Sequence, residues 1–393
     1  MIALSTVAHA RLSPLAPAPD WSRLDAFQET MTKEEFRTLL DRVYAPGGAW
    51  AGLISLGGSS ATIRTSPGRK PYILKFAPDA ASAKSPVVYW RPRAAFPHPG
   101  AGQPLSGLKI AIDPGHIGGD WAKMEERWFR MGNSAPVTEG DMTLRVAKLL
   151  VPRLQALGAD VSLTRSKPAP VTGSRPSQLR SAAVASLKQK GDPATKQAVA
   201  KESERLFYRA SEIRRRACLV NDSIRPDVVL CLHFNAEDWG NEKKPRLVND
   251  NHLHFLIAGS LTREELACDD QRLDMLVKLL ARSFAEELPL TNALSGAMSR
   301  ATGLPPYHYH GGSVARVNGN PYVWARNLLA NRLFTCPVVY IEPYVMNSRN
   351  VFARIQAGDY DGRRKFGGVA RKSIYREYAD SVTDGLVKYY STR

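Results

Sequence analysis

No stretch of the 393 residues reaches the ~18 consecutive apolar positions that a membrane-spanning helix needs, so the chain reads as lacking a transmembrane segment. Cysteine is scarce. Cys218, Cys231, Cys268 and Cys336 are the four, and none falls in a CxxC pair, which argues against a zinc knuckle or a redox dithiol. Cys231 and Cys336 lie in or beside apolar runs and read as small buried hydrophobes. The dense metal-binding patterns HExxH and HxxE are both missing. Basic residues outnumber acidic ones, 54 to 37, for a formal charge of +17, yet no basic run is longer than the three residues of Arg214–Arg216. A clustered basic stripe interleaved with stacking aromatics is therefore absent, and specific nucleic-acid binding with it. The scattered surplus implies a solvated surface drawn to an anionic polymer by long-range attraction. With 44% hydrophobic and 23% charged residues, wholesale disorder is excluded.

What is present divides the chain into units. At a prior of ~150 residues per domain, the length suggests two or three. Residues 1–21 form an N-terminal segment and linker. Its start, MIALSTVAHA, is short and apolar, ends in the A-x-A cleavage pattern Ala8-His9-Ala10 and lacks a positive leading region. It reads as the tail of a signal peptide cut short at its beginning, and export is expected. Residues 22–95 read as a small α+β domain of unassigned role. In it, Thr32-Lys33-Glu34-Glu35 is a capping box, Phe36, Leu39, Leu40 and Val43 make a helical stripe, and AWAGLISLGG, SATIRTS and PYILKFAP read as three short strands. FPHPGAGQPLSG, residues 96–107, is a second linker, dense in proline and glycine.

From 108 to 393 apolar strands alternate with amphipathic helices. The strands are LKIAID (108–113), DVSLT (160–164), DVVLCL (227–232), LHFLIA (253–258) and PVVYIE (337–342); the helices fall at about 140–157, 200–224, 270–288 and 372–390. The fold class is α/β: a twisted, mostly parallel sheet with helices on both faces, preceded by the small α+β domain. Thr138 is the expected N-cap of the first long helix, Pro152 predicts a kink in it, and Gly158 ends it. Residues 166–199, rich in Ser, Ala and Lys, read either as a helical lid over the site or as a solvated excursion.

In such sheets ligands bind outside the carboxyl ends of the strands. Four groups fall at that edge: His116 after LKIAIDPG, Glu139 at the start of a helix, His233 after DVVLCL and Glu342 at the end of PVVYIE. Two imidazoles and a carboxylate suit a hydrolytic zinc site with an open position, and a second carboxylate nearby can take a proton from water. The Asp113-Pro114-Gly115-His116 corner presents its histidine through backbone geometry. Asp113 is expected to support it, by accepting backbone N–H groups or orienting an imidazole, and Gly115 to turn the chain through a positive φ. Glu125 and Glu126 are rival ligands or a solvated pair. His252 and His254 share one strand face and either reach the metal or are core or surface histidines. His308 and His310, in GLPPYHYHGG, line a sugar or peptide groove or sit in a plain turn.

IAIDPGHIGGD, a Glu before MTLRVAKLLVPRLQALGADVSLTR, RRRACLVND, VVLCLHFNA and PVVYIEPYVMNS together resemble the motif series of the zinc-dependent N-acetylmuramoyl-L-alanine amidases, the cell-wall amidase type 3 family. The resemblance spans about residues 108–390. It implies that His116, Glu139 and His233 bind zinc, that Glu342 is the catalytic base, and that the substrate is the amide joining N-acetylmuramic acid to L-alanine in peptidoglycan. It implies a periplasmic or secreted hydrolase and leaves room for an activator protein. The sequence departs from the family after the catalytic Glu, where EPYVMN replaces the usual E-x-G-F, and in the long 166–199 insertion. Those departures keep two alternatives open: a zinc hydrolase of the same fold acting on another amide or peptide, and a non-catalytic wall-binding protein.

Overall fold

The computed structural model describes residues 11–97, 102–241 and 244–391. The Ala8-His9-Ala10 motif and residues 98–101 of the second linker lie outside the described residues. Capping chemistry opens the first helix where the sequence places it: the Thr32 hydroxyl accepts the Glu35 amide at 3.2 Å, and α1 (Lys33–Leu39) follows. Three short strands, β1 (Ile54–Leu56), β2 (Ser60–Ile63) and β3 (Tyr72–Lys75), form an antiparallel sheet in that order.

The main sheet begins with β4 (Lys109–Pro114), which leads through α2 (Glu139–Ala156) to β5 (Asp160–Leu163). A helical pair, α3 (Arg180–Lys190) and α4 (Lys196–Leu206), precedes α5 (Glu212–Cys218) and β6 (Val228–Leu232). β7 (Leu253–Ala258), α6 (Asp269–Leu280), α7 (Phe284–Thr302), β8 (Val314–Arg316), β9 (Val323–Arg326), β10 (Val338–Pro343) and α8 (Ile374–Ser391) complete it. The strand order is β8-β9-β7-β10-β6-β4-β5. β10, β6, β4 and β5 run parallel; β7 opposes β10, β9 runs with β7, and β8 opposes β9. The sheet is thus mixed and mostly parallel.

Alternation along each strand sorts the two faces. Ile110, Ile112, Leu230, Leu232 and Ile341 pack beneath α2, α7 and α8, whose contributions include Val146, Leu150, Leu294 and Tyr378. Each such buried aliphatic side chain stabilises by roughly 1.5–3 kcal/mol. Ala111, Val229, Cys231 and Val338 face the other way, against Ala217 and Val220 at α5. Asp113, His233 and Glu342 continue that second face past the apolar rows. The α1–β3 unit shares a core with the main body: Phe36, Leu40, Ile54 and Leu74 pack with Leu273, Leu276 and Leu280 of α6.

Several elements differ from the sequence reading. α2 runs unbroken through Pro152. The Thr138 hydroxyl, expected to cap that helix, instead donates to the Asp141 carboxylate at 2.6 Å. The helix expected over 270–288 is two, because Arg282 takes a left-handed φ of 59° between α6 and α7. β8 and β9 lie in a stretch to which the sequence reading assigns no element. The 166–199 insertion holds all of α3 and the start of α4, and packs Leu179, Ala183, Leu187 and Val199 onto Ile117 and Trp121.

Candidate metal centre

The corner that ends β4 is held from outside by two buried arginines. Arg165 donates to the carbonyls of Pro114 and Gly115, both at 3.0 Å. Arg216 donates to those of Pro114 and His116, at 2.8 and 2.7 Å, and to Asp113 at 3.0 Å. Such support is what lets His116 adopt a φ of 59°, a left-handed conformation that costs a non-glycine residue roughly 1–2 kcal/mol. Asp113 accepts from Arg216 and the Thr164 hydroxyl, rather than from backbone N–H groups or an imidazole as expected. It anchors the arginine that anchors the corner. Gly115 also acts differently from the expectation. The positive φ belongs to His116; at Gly115 a Cβ would lie 2.2 Å from Cε1 and 2.4 Å from Nε2 of His233, so glycine is required by close approach.

Hydrogen bonding across the sheet edge aligns the rest. Gly115 donates to Leu232, His233 donates to Ile341, and His254 of β7 pairs in register with Glu342. Because β7 is antiparallel to β10, its first residues arrive at the same edge as the carboxyl ends of β4, β6 and β10. Glu139, the first residue of α2, reaches in from the helix. Its two oxygens lie 3.1 Å from His116 Nε2 and 3.1 Å from His233 Nδ1, and the Phe234 amide donates to it at 3.1 Å.

His116, Glu139 and His233 each offer a donor atom within 4.8 Å of the others. The two imidazole rings stand 5.1 Å apart and nearly perpendicular. The Tyr340 ring stacks on His233 at 4.3 Å, and Glu125 lies 3.8 Å from the outer nitrogen of His116 while accepting the Ile117 amide. Carboxylate backing of an imidazole is the usual outer support of a metal ligand. The donor set, its spacing and this backing fit a divalent ion of the zinc type. Without an ion, burial disfavours charge on His116, but Glu139 and Glu125 outweigh it and push its pKa up to about 9. Burial also works against ionised Glu139, yet the two imidazoles hold its pKa well below the carboxylate range.

Glu342 sits in a contrasting environment. It lines the same cavity, of about 850 Å³, and accepts no hydrogen bond from the described residues. Burial and the charge of Glu139 push its pKa up to about 8. All four sequence candidates therefore line one cavity. Of the rivals, Glu125 is buried behind His116, and Glu126 is exposed at the rim. His252 is taken by Glu237 at 3.1 Å; His254 is buried and lines the cavity wall beside Glu342. In the GLPPYHYHGG loop Tyr307 and Tyr309 face the cavity, while His308 and His310 are exposed. No residue of 166–199 lines the cavity, and residues 171 and 172 are stitched to Glu212. Tyr340, the backing role of Glu125 and the corner-binding roles of Arg165 and Arg216 escaped the sequence reading, although Glu125 is named there as a rival ligand and TR and RRR stand in the motifs quoted above.

No family model and no curated protein matches the chain. Solved structures do. The N-acetylmuramyl-L-alanine amidase Ami1 from Mycobacterium smegmatis is 15% identical over 74% of this chain and 99% of its own, with a TM-score of 0.40. The N-acetylmuramoyl-L-alanine amidase AmiC2 of Nostoc punctiforme is 14% identical over 72% and 98%, with a TM-score of 0.38. The CwlD amidase from Clostridioides difficile, in complex with the GerS lipoprotein, is 14% identical over 73% and 100%, with a TM-score of 0.39. At such identities and TM-scores these are likenesses only, and what the site can do follows from its own side chains.

Proposed function

We propose that the protein is a zinc-dependent N-acetylmuramoyl-L-alanine amidase that hydrolyses the amide between N-acetylmuramic acid and L-alanine in peptidoglycan. One observation carries the reading: three ligand-type donors, His116, Glu139 and His233, converge beside a carboxylate, Glu342, that has no hydrogen-bond partner among the described residues. His116, Glu139 and His233 would hold the ion. When bound, zinc supplies Lewis acidity, polarising the scissile carbonyl and easing the loss of a proton from water. Glu342 accepts that proton and returns it to the departing amine of L-alanine, a transfer suited to a carboxylate held near neutral pKa. Tyr340 and Gly115 fix the His233 ring between them, and Glu125 holds that of His116.

The wider surface supports the same setting. A formal charge of +17 favours an anionic wall polymer, an attraction that salt weakens. No helix among the described residues is long and apolar enough to cross a membrane. We place the enzyme in the periplasm or outside the cell, with peptidoglycan as its partner and the α+β unit of 22–95 as a packing or targeting module. The test joins two measurements: metal content of the purified protein, and release of free peptide amines from purified sacculi. His116→Ala and His233→Ala should lose zinc and amine release together. Full zinc occupancy in both variants would dismiss the ligand assignment, and a zinc-loaded parent that leaves sacculi intact would dismiss the substrate.

A further inference from the structure

Four arginines line the cavity, and two are already committed. Arg127 faces Glu139 at 3.2 Å; Arg216 is spent on Asp113, Glu212 and the corner carbonyls. Arg209 is exposed, its guanidinium 5.6 Å from the ring of its neighbour Tyr208. Arg326 differs from all three. It ends β9, is half-buried, and has no carboxylate within ion-pair distance among the described residues. Its guanidinium stands 5.6 Å from the centre of the Tyr309 ring, with Nη1 3.5 Å from the Tyr309 hydroxyl. That hydroxyl lies 2.9 Å from Nε2 of His254, the buried residue paired in register with Glu342. A brace of Tyr309 and His254 thus holds a cation against the cavity wall on the strand next to Glu342's own neighbour.

A half-buried guanidinium without a counter-ion is costly unless a ligand supplies one, and its planar fork matches a carboxylate in geometry as well as charge. The acidic groups of the cavity do not serve: Glu342 feels the charge of Arg326 but forms no ion pair with it among the described residues. Glu237 is paired with His252 and Asp238 with Arg246. In the substrate named above, the muramic carboxyl is itself the scissile amide, so the ionised carboxylates of that substrate lie on the peptide. We propose that Arg326, positioned by Tyr309 and His254, is the receptor for a free peptide carboxylate, and that the departing peptide therefore lies toward β9. This rests on the amidase reading and adds a direction and a specificity to it.

The experiment uses the zinc-loaded full chain and soluble muropeptides matched except at the second stem residue, whose carboxyl is free in one and a carboxamide in the other. The parent should prefer the free acid, mainly through KM. Arg326→Gln should lower kcat/KM on the free acid by about 10- to 100-fold, the range of a lost hydrogen bond to a charged group, and far less on the carboxamide, so that the preference collapses. Arg326→Lys should restore part of it, and Arg209→Gln should leave the preference in place. Equal losses on both substrates, or no loss, overturn the proposal while leaving the amidase reading intact. A parent that cleaves neither muropeptide overturns both.

Discussion

Gly115→Ala tests the centre at its tightest point. The added Cβ would fall 2.2 Å from Cε1, 2.4 Å from Nε2 and 2.6 Å from Nδ1 of His233, that is, onto the face of the ring. To reach the 3.4 Å of an ordinary contact the ring must retreat by about 1.2 Å. It has nowhere to go, because β10 lies on the other side of β6 and brings Tyr340 onto the opposite face at 4.3 Å. Metal–ligand distances tolerate only about 0.2 Å. A displacement several times larger would take His233, one of the three proposed ligands, out of reach of the ion. We expect zinc affinity to fall at least ~100-fold, equivalent to about 2.8 kcal/mol, with turnover falling in parallel. Gly115 has no left-handed φ, so alanine adds no backbone strain there and the loss runs through the ring. The assay is zinc titration in competition with a chromophoric chelator, beside a thermal melt of the metal-free protein. A variant that folds and binds zinc within threefold of the parent would refute the placement of His233 as a ligand.

Glu342→Gln should keep zinc and lose at least ~100-fold in kcat, since an amide cannot accept the proton; a near-parent rate would put the base elsewhere. Arg216→Met leaves Asp113 and Glu212 buried without their cation and removes the arginine donor from the His116 carbonyl, so denaturant titration should show a loss of about 3–5 kcal/mol. A loss under about 1 kcal/mol would mean the corner does not depend on it. For acid stability the test is Glu202. Burial acts to raise its pKa, but Arg205, Ser186 and Lys190 together pull it from 4.5 down to about 2. The folded state therefore binds this proton more weakly than the unfolded one, and the stabilisation is present above pH 4.5 and lost as pH falls toward 2. Urea midpoints of the parent and Glu202→Gln should differ at pH 7, draw together as pH falls below 4.5 and converge only near pH 2; a gap that does not shrink over that range contradicts the pairing.

The parallel strands were legible because each is a β-branched run closed by a polar residue, and a polar residue in that place at the carboxyl edge is a group presented to something. His116, His233 and Glu342 all follow that rule, and Glu139 follows its helical counterpart as an acid at a first turn. β8 and β9 were not legible. VAR and VWAR are too short, among glycine and proline, to show a period, and only pairing with β7 makes them strands. The break at Arg282 was equally hidden, since no Gly or Pro marks it. The arginines of the corner could be seen as residues but not as ligands of carbonyls, because their partners lie about 25–100 positions away.

What the fold adds at the centre is a division between two glutamates that look alike in sequence, each at the end of an element beside a histidine. Glu139 receives an amide, two imidazoles and Arg127, and every one of those favours the ionised form. Glu342 is buried, receives no hydrogen bond from the described residues and feels the charge of Glu139, so its pKa is pushed up to about 8. The first arrangement makes an anion that stays an anion, as a metal ligand must. The second makes a group that can change its protonation during turnover. Supplying Glu342 with a strong donor would abolish that division. Nearby, the Tyr309 hydroxyl lies against His254, so that neutral donor is itself engaged. The antiparallel turn of β7 accomplishes this: it brings a buried, neutral imidazole to the position beside Glu342, where a parallel strand would have delivered its last residue, Ala258.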